Sequence, residues 1–203
     1  MTTPAPTRVD VAFALQGHDL PRDHRLALAQ AVAALLPWLA DDPQAAVHPV
    51  KLVPGTGDRA LLSGRARLVL RVARERVADL AVLAGRTLDV GGYSVRLGEP
   101  HCRELLPHTT LYAHFVEAGE VDEGAFLDTV SAELQQLEVS CHRVCGREQR
   151  LRGPQQPLHG FSLMLHGLRA QASLRVLEQG LGGHRLMGCG VFVPHKSAAA
   201  VGD

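Results

Sequence analysis

Three side chains are of types, and at spacings, that suit proton transfer beside a phosphate: His24, His48 and Lys51. His24 closes the run Leu20-Pro21-Arg22-Asp23-His24, just ahead of apolar residues Leu28, Val32, Leu35, Leu36 and Leu39, whose spacing predicts a helix. In the opening turn of a helix the positive end of the dipole disfavours an imidazolium and attracts an anion. A histidine there is biased toward the neutral form that can accept a proton, although the same position suits a surface histidine that only helps cap the helix. His48 and Lys51 stand three apart at the start of a predicted strand over residues 47–53. That pair suits an acid beside a phosphate clamp, or a plain exposed strand edge.

A second constellation lies near the C-terminus, in Gly180-Leu181-Gly182-Gly183-His184-Arg185-Leu186-Met187-Gly188-Cys189-Gly190. Two Gly-apolar-Gly triplets flank five residues that include an arginine, and the apolar run 191–193 follows as a strand. Glycines permit a sharply bent loop with accessible N–H groups, which suits a phosphate backbone. The bland alternative is a helix cap at Gly180 followed by a tight turn. Neither common nucleotide loop fits: no Lys-Ser or Lys-Thr follows the last glycine, and the helix precedes the glycines instead of following them.

The doubled Gly-apolar-Gly motif with its internal basic residue resembles the glycine-rich loop of the repeat-associated RAMP proteins of CRISPR systems. In particular it is similar to their repeat-processing endoribonuclease, the sixth Cas protein family, in the subtype first described in myxobacteria. Ser173-Leu174, residues 190–194, residues 20–24 and Leu35-Leu36-Pro37-Trp38-Leu39 share that likeness, so it touches both ends of the chain. The resemblance implies two tandem ferredoxin-like (RRM-like) βαββαβ domains of α+β class. It also implies a metal-independent endoribonuclease, with no cofactor, acting on CRISPR precursor repeat RNA. In such a reaction the 2′-OH attacks the adjacent phosphate, leaving a 2′,3′-cyclic phosphate and a 5′-OH; a base, an acid and positive charge on the phosphorane are required.

In the resembled family a catalytic histidine often lies on or near the first helix, which favours His24 as base, with His48 as rival and Lys51 on the phosphate. Some members use a tyrosine in that helix; here Tyr93 and Tyr112 both lie elsewhere. The resemblance makes Gly180, Gly182, Arg185, Gly188 and Gly190 RNA-binding, with Arg143, Arg147, Arg150 and Arg152 alongside and His184 and Lys196 as accessories. The implied partners are the crRNA hairpin and the other subunits of a type I effector complex. A non-cleaving RNA-binding subunit of such a complex is the alternative, and a metabolite- or metal-binding domain pair a third.

Net charge is zero, which at first argues against nucleic acid. The charge is unevenly placed: residues 117–138 hold seven acids and no Lys or Arg, whereas residues 139–197 hold eight Lys plus Arg against two acids. Residues 58–76 carry six Arg against two acids, and Arg65, Arg67 and Arg71 share one face of a predicted strand over 61–72, a weaker second patch. Only Lys51 and Lys196 are lysines, so the positive charge is chiefly forked guanidinium. Cys102, Cys141, Cys145 and Cys189 form no paired spacing, which predicts free thiols and no structural metal, and no apolar run approaches membrane length. A cytoplasmic protein with no membrane partner is expected.

The elements that must position these residues follow from periodicity. Alternating Val9, Val11, Phe13 and Leu15 predict a strand, then come the helix ended by Pro37, strands 47–53 and 61–72, a helix over 75–84 and a hairpin about Gly91-Gly92. The second half repeats the order with strands 111–116, 139–144, 158–165 and 191–193 and helices 123–137 and 170–179, residues 147–154 being a turn. Two domains are expected, 1–100 and 101–203.

Overall fold

The computed structural model describes residues 6–119 and 122–195. Its first half runs β1 (Arg8–Gln16), β2 (Asp19–Pro21), α1 (Arg25–Leu35), a 3-10 turn Pro37–Asp41, β3 (Ala46–Val47), β4 (Leu52–Pro54), β5 (Arg59–Leu62) and β6 (Arg67–Ala73). A 3-10 helix Arg74–Leu83, β7 (Thr87–Val90) and β8 (Tyr93–Glu104) complete it. The second half runs β9 (Thr110–Glu117), α2 (Glu123–Gln136), β10 (His142–Leu151), β11 (Leu158–His166), α3 (Ala170–Gln179), a 3-10 turn Arg185–Met187 and β12 (Phe192–Pro194).

The two sheets have one grammar. The second is ordered β10-β11-β9-β12, so its four strands in chain order stand 2-3-1-4, all antiparallel, as a βαββαβ ferredoxin-like unit requires. The first is ordered β3-β6-β1-β8-β7, the same 2-3-1-4 with β7 added at the edge. The chain is therefore α+β with two tandem ferredoxin-like units. No sequence repeat announces this duplication; strand order does.

Local chemistry explains the elements. Val9, Val11 and Phe13 on β1 are fully buried, and Pro37 stops α1 at Leu35, its ring taking the first position of the 3-10 turn. Asp122 caps α2 by accepting from the Ala125 N–H at 2.9 Å, after which Phe126, Val130 and Leu134 recur every fourth residue into the core. The Gly91-Gly92 turn joins Val90 to Tyr93 with both glycines at positive φ, the two-residue hairpin that the sequence signals.

Three expectations change. The strand over 61–72 is broken at residues 63–66: β5 leaves the main sheet and joins β2 and β4 in a separate three-stranded sheet. Arg65 consequently sits in the turn, off the strand that carries Arg67 and Arg71. The helix expected over 75–84 is a 3-10 helix, with Leu80 and Leu83 buried. Residues 147–151, expected as a turn, continue β10 past a bulge between Cys145 and Glu148, so Arg147 and Arg150 are strand residues and Arg152 begins the turn.

Each half has its own apolar core, and a third cluster of Ala29, Phe115, Leu158, Met187 and Cys189 fills the seam between them. Polar bonds cross the same seam. The Arg71 guanidinium is 1% exposed, forks onto Asp10 at 2.7 and 2.9 Å, and donates to the carbonyls of Leu177 and Phe192 at 2.7 and 3.1 Å. Arg71 therefore locks the halves together and offers nothing to RNA, because every face of its guanidinium is engaged indoors. The binding patch expected of it is corrected accordingly.

Candidate RNA-cleavage cleft

The glycine-rich stretch is a clasp on that seam. Gly180, Gly182, Gly188 and Gly190 all take positive φ. A Cβ at Gly188 would come within 2.6 Å of the Pro49 Cδ, and one at Gly190 would run into the Leu181 carbonyl oxygen, so side chains are excluded. The amides are already bonded: Gly180 N–H donates to Val176 O at 2.9 Å, Gly182, at the surface, to the Glu133 carboxylate at 2.8 Å, Gly188 to Arg185 O at 2.9 Å and Gly190 to Phe115 O at 2.7 Å. Arg185 is 6% exposed and donates to the carbonyls of Gly190, Gln44 and Glu178 at 3.2 Å each. Burial, together with Arg71 and Arg8 nearby, lowers its pKa to about 10. The expectation that these four glycines and Arg185 present donors to RNA is corrected: the four amides are bonded within the second half, and the Arg185 guanidinium is spent on backbone carbonyls, of which that of Gln44 lies in the first half.

Beside the clasp lies a cleft of about 1180 Å³, lined from both halves. The start of α1, residues 48–54, Arg65 and Arg67 form one wall; His114 of β9, Arg150 to Arg152 and Gly188 form the other. Eight Lys and Arg line it against Asp10, Asp23 and Asp58, so a neutral protein carries a cationic groove. A smaller depression of about 380 Å³ around Ser131, Cys141 and Arg143 holds no histidine.

The sequence candidates divide on this geometry. His24, His48, Lys51, Arg150, Arg152 and Gly188 line the cleft; Arg143, bonded to Ser131 Oγ, and Arg147 do not. Lys196 lies outside the described residues, and His184 pairs with Glu117 at 2.7 Å. Lys51 is exposed in the cleft.

His24 is held by both ring nitrogens. Its Nε2 accepts the Val50 N–H at 3.0 Å, so that nitrogen carries no proton and its lone pair is occupied; Nδ1 faces Arg22 O at 3.4 Å. Burial lowers its pKa, so the ring is neutral, and its Nε2 fixes residue 50. In this arrangement His24 also positions the segment that carries Lys51. His48 is also buried and neutral, its pKa lowered by burial, with Nε2 3.5 Å from Asp10. Burial alone would raise the Asp10 carboxyl, but His48 and the Arg71 guanidinium outweigh it and hold it well below the usual carboxylate range.

These shifts fix an acid response. A histidine whose folded pKa lies below 6.5 binds fewer protons folded than unfolded, so stability falls as pH drops from about 6.5 toward the lowered values. Asp10, lowered in the fold, adds a separate loss below about pH 4. The Tm of the wild type is expected to fall between pH 7 and 5, and His24→Gln to remove part of that slope. A Tm flat across the interval would contradict the buried neutral histidines.

Arg22, Arg25, Arg103 and His114 also line the cleft and escaped sequence reasoning. The strand period offered a signal for His114: Leu111, Ala113 and Phe115 of β9 point inward, leaving His114 on the opposite face. Arg25 was legible only as the neighbour of His24. Among the described residues no three His, Cys, Asp or Glu side chains gather as metal ligands would, and no helix is long and apolar enough to cross a membrane.

Comparison with known proteins decides which family has this architecture. The sequence profile of the family described as Cas6 Crispr matches residues 9–197. This chain belongs to the Cas6 family. It is 38% identical over 194 residues to the CRISPR-associated endonuclease Cas6 of Myxococcus xanthus (strain DK1622), covering 95% of this chain and 84% of that protein. A likeness of that extent makes the chain an endonuclease of the Cas6 kind. Among solved structures, a CRISPR-associated protein Cas6 superposes with a TM-score of 0.69 at 11% identity, over 93% of this chain and all of that one. The Thermus thermophilus Cse3 bound to an RNA representing a pre-cleavage complex superposes with a TM-score of 0.53 at 13% identity, over 92% and 98%. At such identities the likeness is one of fold.

Proposed function

We propose that this Cas6 chain cleaves CRISPR repeat RNA in the cleft between its halves, without a metal ion, by attack of a 2′-OH on the adjacent phosphate. The observation that carries the reading is the cleft itself: neutral histidines beside a row of cations, in a protein whose total charge is zero. Cations placed around a phosphate stabilise the charge that builds on the phosphorane, which is the largest single requirement of such a reaction. The products are a 2′,3′-cyclic phosphate and a 5′-OH. Arg150 at the end of β10 and Arg152 at the start of the turn after it lie along the cleft, where they would hold the stem of a repeat hairpin by its phosphates. The crRNA then stays bound within a type I effector complex.

With excess EDTA present, end-labelled repeat RNA is expected to be cut at one position, and a 2′-deoxy substitution at the nucleotide before the cut is expected to abolish cleavage. Cleavage that stops with EDTA, or that survives the deoxy substitution, would sink the mechanism. Binding of the repeat without any cut would favour an RNA-holding subunit instead.

A further inference from the structure

Three histidines line the cleft, and His114 is the exposed one among them. His24 accepts the Val50 N–H, and His48 is buried against Asp10. His114 is exposed on β9; its ring meets Tyr112 edge-on at 4.9 Å, and among the described residues nothing hydrogen-bonds or ion-pairs with its nitrogens. Arg25 from α1 and Lys51 from the segment after β3 line the same cleft. Partial burial lowers the pKa of the His114 ring, and Arg25, Lys51 and His195 after β12 add to the shift. Arg25 packs against the Cys189 thiol, forms no ion pair among the described residues, and its buried Nη1 finds no hydrogen-bond acceptor. One cleft thus holds an exposed neutral imidazole with a spare lone pair and two cations that, among the described residues, form no ion pair.

We propose that His114 is the catalytic base of this cleft and that Arg25 and Lys51 hold the scissile phosphate beside it. The assignment rests on the endonuclease reading above and names the residue that performs it. The 2′ O–H bond breaks and its proton passes to a ring nitrogen of His114. The freed oxygen pair forms the bond to phosphorus, and the bond from phosphorus to the 5′-oxygen breaks. Solvent water protonates the departing 5′-oxygen, and the imidazolium returns its proton to water. Arg25 and Lys51 neutralise the extra charge on the two non-bridging oxygens during the exchange. The base stands on the second half and the clamp on the first, so the site exists only where the glycine clasp presses the two together.

The test is single-turnover cleavage of labelled repeat RNA by the wild type, His114→Gln and His114→Ala, with RNA affinity and the thermal melt measured on each. Because His114 is exposed, both variants are expected to melt with the wild type. Cleavage is expected to fall about 10²- to 10⁴-fold in both while the Kd stays within about threefold. Cleavage by either variant within about threefold of the wild type would overturn the assignment and leave the nuclease reading standing. Loss of affinity in step with cleavage would also overturn it, making His114 a binding residue. A wild type that binds repeat RNA but never cuts it would instead remove the nuclease reading, and this assignment with it.

Discussion

Arg71→Ala is expected to cost about 3–5 kcal/mol of stability, because it strands a buried carboxylate and two carbonyls together. The guanidinium is 1% exposed and makes four hydrogen bonds, two to Asp10 and one each to the backbone of residues 177 and 192. Without it Asp10 faces only the neutral His48 ring, and the carbonyls of Leu177 and Phe192 lose this donor. Arg71→Lys keeps the charge but cannot fork, so it should recover only part of the loss. Asp10→Asn in the Arg71→Ala background removes the stranded charge and should be less damaging than the single change implies. Urea unfolding measures all four proteins. A loss under about 1 kcal/mol for Arg71→Ala would show that the network is not buried as described.

RNA affinity is expected to drop about 300- to 2,000-fold between 50 and 200 mM salt. The slope follows from counterion release, at about 0.7 to 0.9 per phosphate neutralised, if six of the cleft's eight cations each meet one phosphate. Arg150→Ala with Arg152→Ala should shorten the slope by about two contacts and weaken binding at every sequence alike. Arg143→Ala is the control, since that side chain is tied to Ser131 away from the cleft and should leave both affinity and slope nearly unchanged. Anisotropy titrations at several salt concentrations decide the matter. Equal effects of Arg143→Ala and the double variant would move the RNA path off the cleft and onto the face of β10.

Much of the fold was legible. Alternation on β1, the stop at Pro37, the cap at Asp122 and the paired glycines at 91 and 92 are local signals, and local chemistry settles them. The break between β5 and β6 was not, because both pieces are rich in β-forming residues and only tertiary pairing decides which sheet receives each. The site was legible in part. The sequence brought out His24, His48, Lys51, Arg150 and Arg152, and all of them reach one cleft. It misjudged Arg71 and Arg185 because an arginine's type says that it seeks oxygens, not whether those oxygens belong to RNA or to the protein's own backbone. His114 was missed because a strand's outward face carries no mark of what lies opposite until a second domain is folded against it.

The seam has a temporal side. Thr7 N–H donates to the Glu178 carboxylate across 171 positions of chain, and Arg71 awaits carbonyls 106 and 121 positions downstream. During synthesis the first half leaves the ribosome with only the Asp10 fork of that guanidinium available, and its two carbonyl bonds wait until residues 177 and 192 have emerged. Closure of the cleft therefore comes late in folding, and a chain terminated ahead of residue 180 would carry half a cleft with no clasp to close it.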